Sequence, residues 1–221
     1  MKKKLLILPG GGDPFLNEKY ITIYKLVKDE ASKKGYNKIE IISWVGQNSG
    51  PKGIMNLKTA TYQLKNIINA LVKDNEKFDI IGFFWGANVC INTLYNFNSI
   101  PSNLNICRFY GIDEFWNLKT RFFIDTSKNK IRTLRKKIGA NIDDNFFNYQ
   151  IPNELLLRDY PHDNEIRIGI GENDYSISSP EGFVKYLKSF IDKEKISIEI
   201  IKNAEHEILK TNKNYFNFLF K

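Results

Sequence analysis

The sequence predicts an α/β protein, a three-layer α/β/α sandwich around a mostly parallel sheet, with one insertion. Short apolar runs typical of buried strands alternate with segments of helical hydrophobic spacing. Strands separated by helices imply β-α-β units with right-handed crossovers. Hydrophobic residues make up 42% of the 221 residues, which is enough to build the core of a single domain.

The elements follow one another in a regular order. A strand at 5–8 ends in glycines, and a helix at 20–34 stops at Gly35, a residue that favours helix ends. After Gly111 the pattern lapses for roughly fifty residues, which marks the insertion. The other predicted elements are strands 39–44, 79–84, 106–110, 166–170 and 196–201, and helices 57–72, 86–94, 181–191 and a last one ending near 220.

The net charge of +8 is concentrated in one place. Residues 119–137 contain eight basic residues and one acidic residue, so the rest of the chain is nearly neutral. Ile131, Leu134 and Ile138 fall at helical spacing, and Gly139 is placed to end that helix. This basic helix suits a solvated cap, an anionic ligand, an acidic partner or an anionic membrane surface. Nucleic acid is disfavoured as a partner, since no recognised reading motif accompanies the charge.

The cysteines, the apolar runs and the histidines of the sequence bear on the compartment of the protein and on its cofactors. Cys90 and Cys107 lie in apolar surroundings, which suits free thiols in a reducing compartment. The apolar run after the first lysines stops at Pro9, too early for a signal peptide, and no run is long enough to span a membrane. We therefore expect a cytoplasmic protein. We expect no cofactor and no metal, because His162 and Asp163 have no third ligand at a recognisable spacing.

Three clusters with chemical potential each follow a predicted strand, where parallel sheets place their binding sites. Gly10, Gly11 and Gly12 follow the first strand, and neither a phosphate-loop nor a dinucleotide pattern continues from them. Two interpretations of these glycines therefore remain, an oxyanion hole and a plain tight turn. Gly82 and Gly86 frame a strand-to-helix turn with the outline of G-x-S-x-G.

The third cluster consists of Asp174 and His206, which follow two consecutive late strands. The strand-to-helix turn between Gly82 and Gly86 is called the elbow here. An acid and then a histidine after this elbow is the chain order of a Ser-Asp-His triad. The alternative without a functional role is that His206 is a surface histidine flanked by Glu205 and Glu207.

Together these clusters make the chain resemble the α/β-hydrolase superfamily. The resemblance implies an oxyanion hole from Gly11, Gly12 and the backbone N–H of Trp85, with Asp174 as the acid and His206 as the base. It also implies a core formed by 1–112 and 161–221 and a helical cap at 113–160. The chain opens at the strand before the oxyanion loop, so this would be a small version of the fold.

Phe84 is the departure from that pattern, because it stands where the nucleophilic serine belongs. A phenyl ring cannot attack a carbonyl, so the acyl-enzyme route is lost while the acid–base pair is retained. We expect Phe84, with Phe83 or Trp85 and the cap residues Phe122 and Phe123, to line an apolar ligand pocket. The alternative is that the ring of Phe84 folds down and plugs a dead site.

No other residue replaces the serine convincingly. Cys90 lies on the helix after the elbow, where burial leaves a thiol inert, and Asp13 is a weak candidate for a carboxylate nucleophile. Three functions therefore remain open. The first is acid–base chemistry on a small carbonyl or ester-like ligand, by proton transfer, lyase chemistry or water activation. The others are a pseudo-hydrolase that binds or scaffolds, and an esterase whose nucleophile is unrecognised.

Overall fold

The computed structural model describes residues 3–16, 18–74, 76–112, 139–142, 146, 153–175, 177–191, 194–206 and 213–220. Strands and helices alternate through these residues. The strands are β1 (Lys3–Leu8), β2 (Tyr36–Ile41), β3 (Phe78–Phe83), β4 (Leu104–Tyr110), β5 (Glu165–Asn173) and β6 (Ile196–Glu205). The helices are α1 (Glu18–Lys33), α2 (Leu57–Lys73), α3 (Trp85–Tyr95), α4 (Asn153–Arg158), α5 (Pro180–Phe190) and α6 (Lys213–Phe220).

The strands form one parallel sheet in the order β2-β1-β3-β4-β5-β6. Every residue of β3 is buried, since it lies in the middle of the sheet and is covered on both faces. The edge strands β2 and β6 instead mix buried with exposed positions. This order brings the carboxyl ends of β1, β3, β5 and β6 to one edge of the sheet, where the predicted site residues lie.

Helices cover both faces of the sheet, which confirms the predicted three-layer α/β/α sandwich. One apolar core lies between the sheet and α2, α3, α4 and α5. A second, smaller core lies on the other face, under α1 and α6. Local capping fixes two of these helices: Asn56 and Thr59 form a capping box at the start of α2, and the Ser179 hydroxyl accepts from the Gly182 N–H at the start of α5.

Two details differ from the sequence prediction. The second strand ends at Ile41, and Ile42 and Trp44 are buried in the connection that follows it rather than in the sheet. Helix α4 was not predicted, because it lies within the range assigned to the insertion. Leu156 and Leu157 of this short helix belong to the larger core.

The connection after β2 is tied to the segment 139–142. Gln47 forms an antiparallel bridge with Ala140, and Met55 forms a parallel bridge with Ile142. The Asn48 N–H donates to the Gly139 carbonyl at 2.9 Å. The segment 139–142, which follows the basic stretch in sequence, is therefore anchored beside the carboxyl end of β2.

A buried ion cluster joins the first four strands of the sheet near their amino ends. The Asp79 carboxylate accepts from the Tyr36 hydroxyl, from Asn105 Nδ2 at 3.0 Å and from Arg108 at 3.4 Å, and it pairs with Lys3 Nζ at 3.0 Å. Burial, the largest influence, raises the pKa of Asp79, but these partners outweigh it and leave the pKa below its ordinary value. The cluster therefore stabilises the charged form.

None of the helices that the structure describes is both long and apolar enough to cross a membrane.

Candidate active site

The turn between β3 and α3 has the geometry of a strained strand-to-helix elbow. Phe84 adopts φ 51° and ψ −118°, a backbone region that residues other than glycine rarely enter. A Cβ on Gly82 would lie 2.9 Å from the Cα of Ala87, and one on Gly86 would collide with the Pro9 carbonyl oxygen. The two glycines are required because the turn packs this closely against α3 and the end of β1.

The Phe84 ring lies between the elbow and His206. The centroids of the two rings are 4.4 Å apart, with 35° between the planes. The same ring packs edge-on against Tyr110, and added Cβ atoms on Gly10 or Gly111 would press against it. The phenyl ring therefore occupies the space through which a shorter side chain at position 84 would reach the histidine.

Asp174 and His206 are brought together by the ends of β5 and β6. His206 Nδ1 lies 2.9 Å from Asp174 Oδ1, and the Asp174 side chain is fully buried while that of His206 is 21% exposed. An ionised carboxylate can only accept a hydrogen bond, so with Asp174 ionised this contact assigns a proton to Nδ1 of the ring. In the neutral ring Nε2 then carries the lone pair, which is the arrangement of a base.

Neighbouring aromatic side chains hold the histidine loop. The Tyr175 ring lies 5.0 Å from the His206 ring, and the Tyr110 hydroxyl donates to the backbone oxygen of Glu205. Burial, and then the carboxylates of Asp174 and Glu205, raise the pKa of Tyr110. The Tyr110 hydroxyl therefore stays protonated and keeps its donor role beside the histidine.

The glycine-rich loop after β1 is held by donors on its carbonyl side. Trp44 Nε1 donates to the Pro9 oxygen at 3.0 Å, and Gln47 Nε2 donates to the carbonyls of Gly11 and Gly12 at 3.2 and 3.0 Å. On the other face of the sheet, Tyr24 Oη accepts from the Gly10 N–H at 3.1 Å. The conformation of this loop is therefore fixed by side chains of other segments, namely those of Tyr24, Trp44 and Gln47.

Solved structures identify the architecture. The N-formylmaleamic acid deformylase of Pseudomonas putida superposes with a TM-score of 0.65 at 12% identity, over 99% of this chain and 92% of the deformylase. The chain has the α/β-hydrolase fold. An esterase of Exiguobacterium antarcticum matches with a TM-score of 0.66 at 13% identity, over 98% of this chain and 90% of the esterase.

Mouse α/β-hydrolase domain-containing protein 10 also shares the α/β-hydrolase fold, with a TM-score of 0.64 at 11% identity, over 98% of this chain and 86% of the mouse protein. No protein-family model and no curated protein matches the sequence. At these identities the likeness extends to the fold and not to an activity.

Within the α/β-hydrolase fold, the backbone N–H of Trp85 lies at the first position of α3. The first hydrogen bond within the helix runs from the Asn88 N–H to the Phe84 carbonyl, so the N–H groups of residues 85–87 precede the helical ladder. The Trp85 ring packs against Trp44 at 5.4 Å and stacks on Phe146 at 5.3 Å. These rings wall the side of the elbow that faces the glycine-rich loop.

The environment of Asp13 does not suit the nucleophile role that the sequence raised as an alternative. It is 1% exposed, and its carboxylate accepts from the N–H groups of Phe15, Leu16 and Ser49 and from the Ser49 hydroxyl. These four bonds span 2.7 to 3.1 Å. Asp13 instead joins the glycine-rich loop to the connection after β2.

Cys90 and His162 have structural environments. Cys90 is fully buried against Cys107, and burial together with that second thiol raises the pKa of Cys90 well above its ordinary value. His162 Nε2 lies 3.1 Å from the Leu94 carbonyl near the end of α3. Neither residue lies among the elbow, the glycine-rich loop and the Asp174–His206 pair.

Phe83 does not line a ligand pocket at the elbow, which corrects the sequence-based expectation. The alternation of side chains in β3 directs it into the smaller core, where it is fully buried and packs against Tyr24 and Tyr215. The other predicted pocket residues, Phe122 and Phe123, lie outside the described residues. The same is true of the basic stretch 119–137.

Sequence reasoning missed three side chains that shape the site, namely Gln47, Phe146 and Tyr175. All three meet the site through contacts between loops that are distant in sequence. Phe146 Cζ, for example, would lie 3.4 Å from a Cβ placed on Gly11. No local pattern marks such contacts. The position of Tyr175 immediately after Asp174 was the one available signal.

Proposed function

We propose that this α/β-hydrolase-type protein binds a small carbonyl or ester-like ligand at the elbow and uses His206, held by Asp174, as a general acid–base. The observation that supports this most strongly is the 2.9 Å bond between His206 Nδ1 and Asp174 Oδ1. A buried carboxylate that orients an imidazole suits proton transfer better than structural packing.

Phe84 excludes the usual acyl-enzyme route in this proposal. Its ring carries no group that can form a covalent bond to a carbonyl carbon, and it lies against His206. The histidine would therefore exchange a proton with the ligand or with water rather than with a hydroxyl nucleophile.

A step that fits these groups is removal of a proton from the carbon next to a carbonyl. The proton would go to His206 Nε2, and the electron pair of the broken C–H bond would move towards the carbonyl oxygen. Backbone N–H groups of the glycine-rich loop and of Trp85 would stabilise the negative charge that develops on that oxygen. Water activation by the same nitrogen is the hydrolytic variant of this proposal.

The surroundings favour an apolar ligand. The rings of Phe84, Trp85 and Tyr175 lie around the histidine and the elbow. Phe15 and Leu16, which follow the glycine-rich loop, are 46% and 61% exposed. Apolar side chains beside a few polar groups are the usual composition of a small-molecule site.

One observation favours a second candidate, a pseudo-hydrolase that binds a ligand or scaffolds a partner without turning it over. With its centroid 4.4 Å from that of His206, the Phe84 ring would in this case plug the site. In either case we propose that the insertion 113–160 carries a cap outside α4, which packs into the larger core, and that its basic stretch 119–137 meets an anionic ligand or an acidic partner.

Deuterium exchange into a panel of small carbonyl compounds distinguishes the two candidates. A panel of small ketones and thioesters is incubated with the protein in D₂O, and loss of the α-proton signal is followed by ¹H NMR. We expect the wild type to accelerate exchange of at least one panel member and His206→Ala to lower that rate about 100-fold or more.

The matched control is His162→Ala, which removes the other histidine and should leave the exchange rate unchanged. Binding of the same panel member, with equal exchange in wild type and His206→Ala, would favour the non-catalytic protein. If no panel member exchanges faster with the wild type than without it, the acid–base proposal fails for these carbonyl compounds.

A further inference from the structure

We infer that Gln47 is the positioning residue of the site: it turns the N–H groups of Gly12 and Asp13 towards the elbow, where they receive a carbonyl or carboxylate oxygen. This inference rests on the proposed function, because it names the donors that hold the oxygen of the proposed ligand. It also moves the donor pair one residue along from the Gly11 and Gly12 expected from the sequence.

The contacts of the Gln47 side chain use both ends of its amide. Nε2 donates to the Gly11 and Gly12 carbonyls, and Oε1 accepts from the Trp44 N–H at 2.7 Å and from the Ser43 hydroxyl at 3.4 Å. The residue is 3% exposed. A buried amide satisfied in this way has one orientation, because rotating it would bring donors against donors and acceptors against acceptors.

Peptide geometry converts these carbonyl contacts into a direction for the N–H groups. In a planar trans peptide the C=O of one residue and the N–H of the next point in opposite directions. With the Gly11 and Gly12 carbonyls directed at Gln47, the N–H groups of Gly12 and Asp13 point away from it. The Gly10 N–H is excluded from this pair, because it donates to Tyr24 Oη.

Strand order shows what lies on that opposite side. Gln47 follows β2, the glycine-rich loop follows β1, and Phe84 follows β3, while the sheet order is β2-β1-β3. A direction away from Gln47 across β1 is therefore a direction towards the elbow. The loop does reach the elbow, since a Cβ on Gly10 would lie 3.2 Å from Phe84 Cδ2.

The backbone of Gln47 is itself fixed. Its N–H donates to the Trp44 carbonyl at 3.0 Å, and it bridges to Ala140 in the segment that follows the basic stretch. The amide that sets the loop is thus anchored both from the connection after β2 and from the segment 139–142, which follows the basic stretch. Successive N–H groups held in this way form an anion-binding concavity.

The test uses ¹⁵N-labelled full-length protein titrated with sodium butyrate at pH 8, with amide chemical shifts as the readout. In the wild type we expect the amides of Gly12 and Asp13 to shift with butyrate and that of Gly10 to stay in place. No shift at Gly12 and Asp13, or the largest shift at Gly10, would overturn the inference. This comparison needs no variant.

The variant Gln47→Glu keeps an acceptor for the Trp44 N–H but removes both donors to the loop carbonyls. We expect butyrate to bind Gln47→Glu at least about tenfold more weakly, with the shifts at Gly12 and Asp13 reduced, since two hydrogen bonds orient these peptides. If Gln47→Glu does not fold, Gln47→Met supplies the same loss of donors. Unchanged butyrate affinity in the folded variant contradicts the positioning role.

Gln63→Glu is the matched control. Gln63 holds the same connection through the Val45 N–H at 2.8 Å and the Ser43 carbonyl at 2.9 Å, and neither of these bonds involves the glycine-rich loop. Its variant should bind butyrate within about twofold of the wild type. An equal loss of binding in Gln63→Glu would show a general loosening of the connection and would overturn the specific role of Gln47.

His206→Ala separates this inference from the proposed function. The butyrate shifts at Gly12 and Asp13 should persist in His206→Ala, because the donors belong to the loop. Persisting shifts together with absent deuterium exchange in the wild type would leave the Gln47 inference standing while the acid–base proposal fails.

Discussion

The strained backbone at Phe84 gives a stability prediction with an unusual sign. Phe84→Gly and Phe84→Ala both remove the phenyl ring and so lose the same packing, but only alanine keeps a Cβ in the φ 51° conformation. Strain in such regions amounts to about 1–3 kcal/mol, while the greater freedom of glycine in the unfolded chain costs about 0.5–1 kcal/mol. We therefore expect Phe84→Gly to be more stable than Phe84→Ala by about 1 kcal/mol.

The assay is equilibrium urea unfolding followed by far-ultraviolet circular dichroism, with the free energy of unfolding taken from midpoints at a common slope. Lys25, an exposed residue within α1, provides the control pair. There Lys25→Ala should be more stable than Lys25→Gly by about 1 kcal/mol, because glycine is the poorer helix former. The same order at both positions, with alanine the more stable, would refute the strained elbow.

Three further predictions concern the rest of the fold. Gly86→Ala should destabilise by about 3 kcal/mol or more, whereas Gly35→Ala, at φ +85° with open space around it, should cost about 1 kcal/mol, as measured by urea unfolding. Because the pKa of Asp79 is lowered on folding, its contribution is present above about pH 4 and lost as the pH falls further, so wild type should lose more stability between pH 5 and 2 than Asp79→Asn. Ellman's reagent should leave Cys90 and Cys107 unmodified in the native protein and titrate both in urea, since both are fully buried.

Each of these would be contradicted by a simple outcome. Equal losses of unfolding free energy in Gly86→Ala and Gly35→Ala would contradict the close packing of the elbow against β1. If the free energies of unfolding of wild type and Asp79→Asn fall in parallel between pH 5 and 2, the buried ion cluster does not favour the charged form of Asp79. Rapid modification of a thiol in the native protein would show that one cysteine is accessible.

Much of the fold could be predicted from sequence because hydrophobic periodicity is a local signal. The strands β1, β3 and β4 each contain a short apolar run and are mostly buried, which is typical of strands covered on both faces. The second strand was placed too late, because Ile42 and Trp44 are apolar and buried without being in the sheet. A run of apolar residues indicates burial and does not by itself indicate the partner that covers it.

The site was partly predictable for the same reason. Asp174 and His206 were found because the carboxyl ends of parallel strands meet at one edge, so positions in sequence translate into positions in space. Gln47 was not found, since its role depends on side-chain bonds to a loop about 35 residues earlier in the chain. The placement of the Phe84 ring against His206 likewise depends on rotamer and packing, which the sequence pattern does not specify.

The most direct test of the central claim is covalent labelling at the elbow, read by intact-protein mass spectrometry after treatment with an alkyl fluorophosphonate. A serine at position 84 would displace fluoride while His206 takes its proton. We predict that the wild type gains no adduct, that Phe84→Ser gains one, and that Phe84→Ser combined with His206→Ala gains none. A stoichiometric adduct on the wild type, or a folded but unlabelled Phe84→Ser, would contradict an aligned acid–base pair beside an elbow that carries phenylalanine in place of a nucleophile.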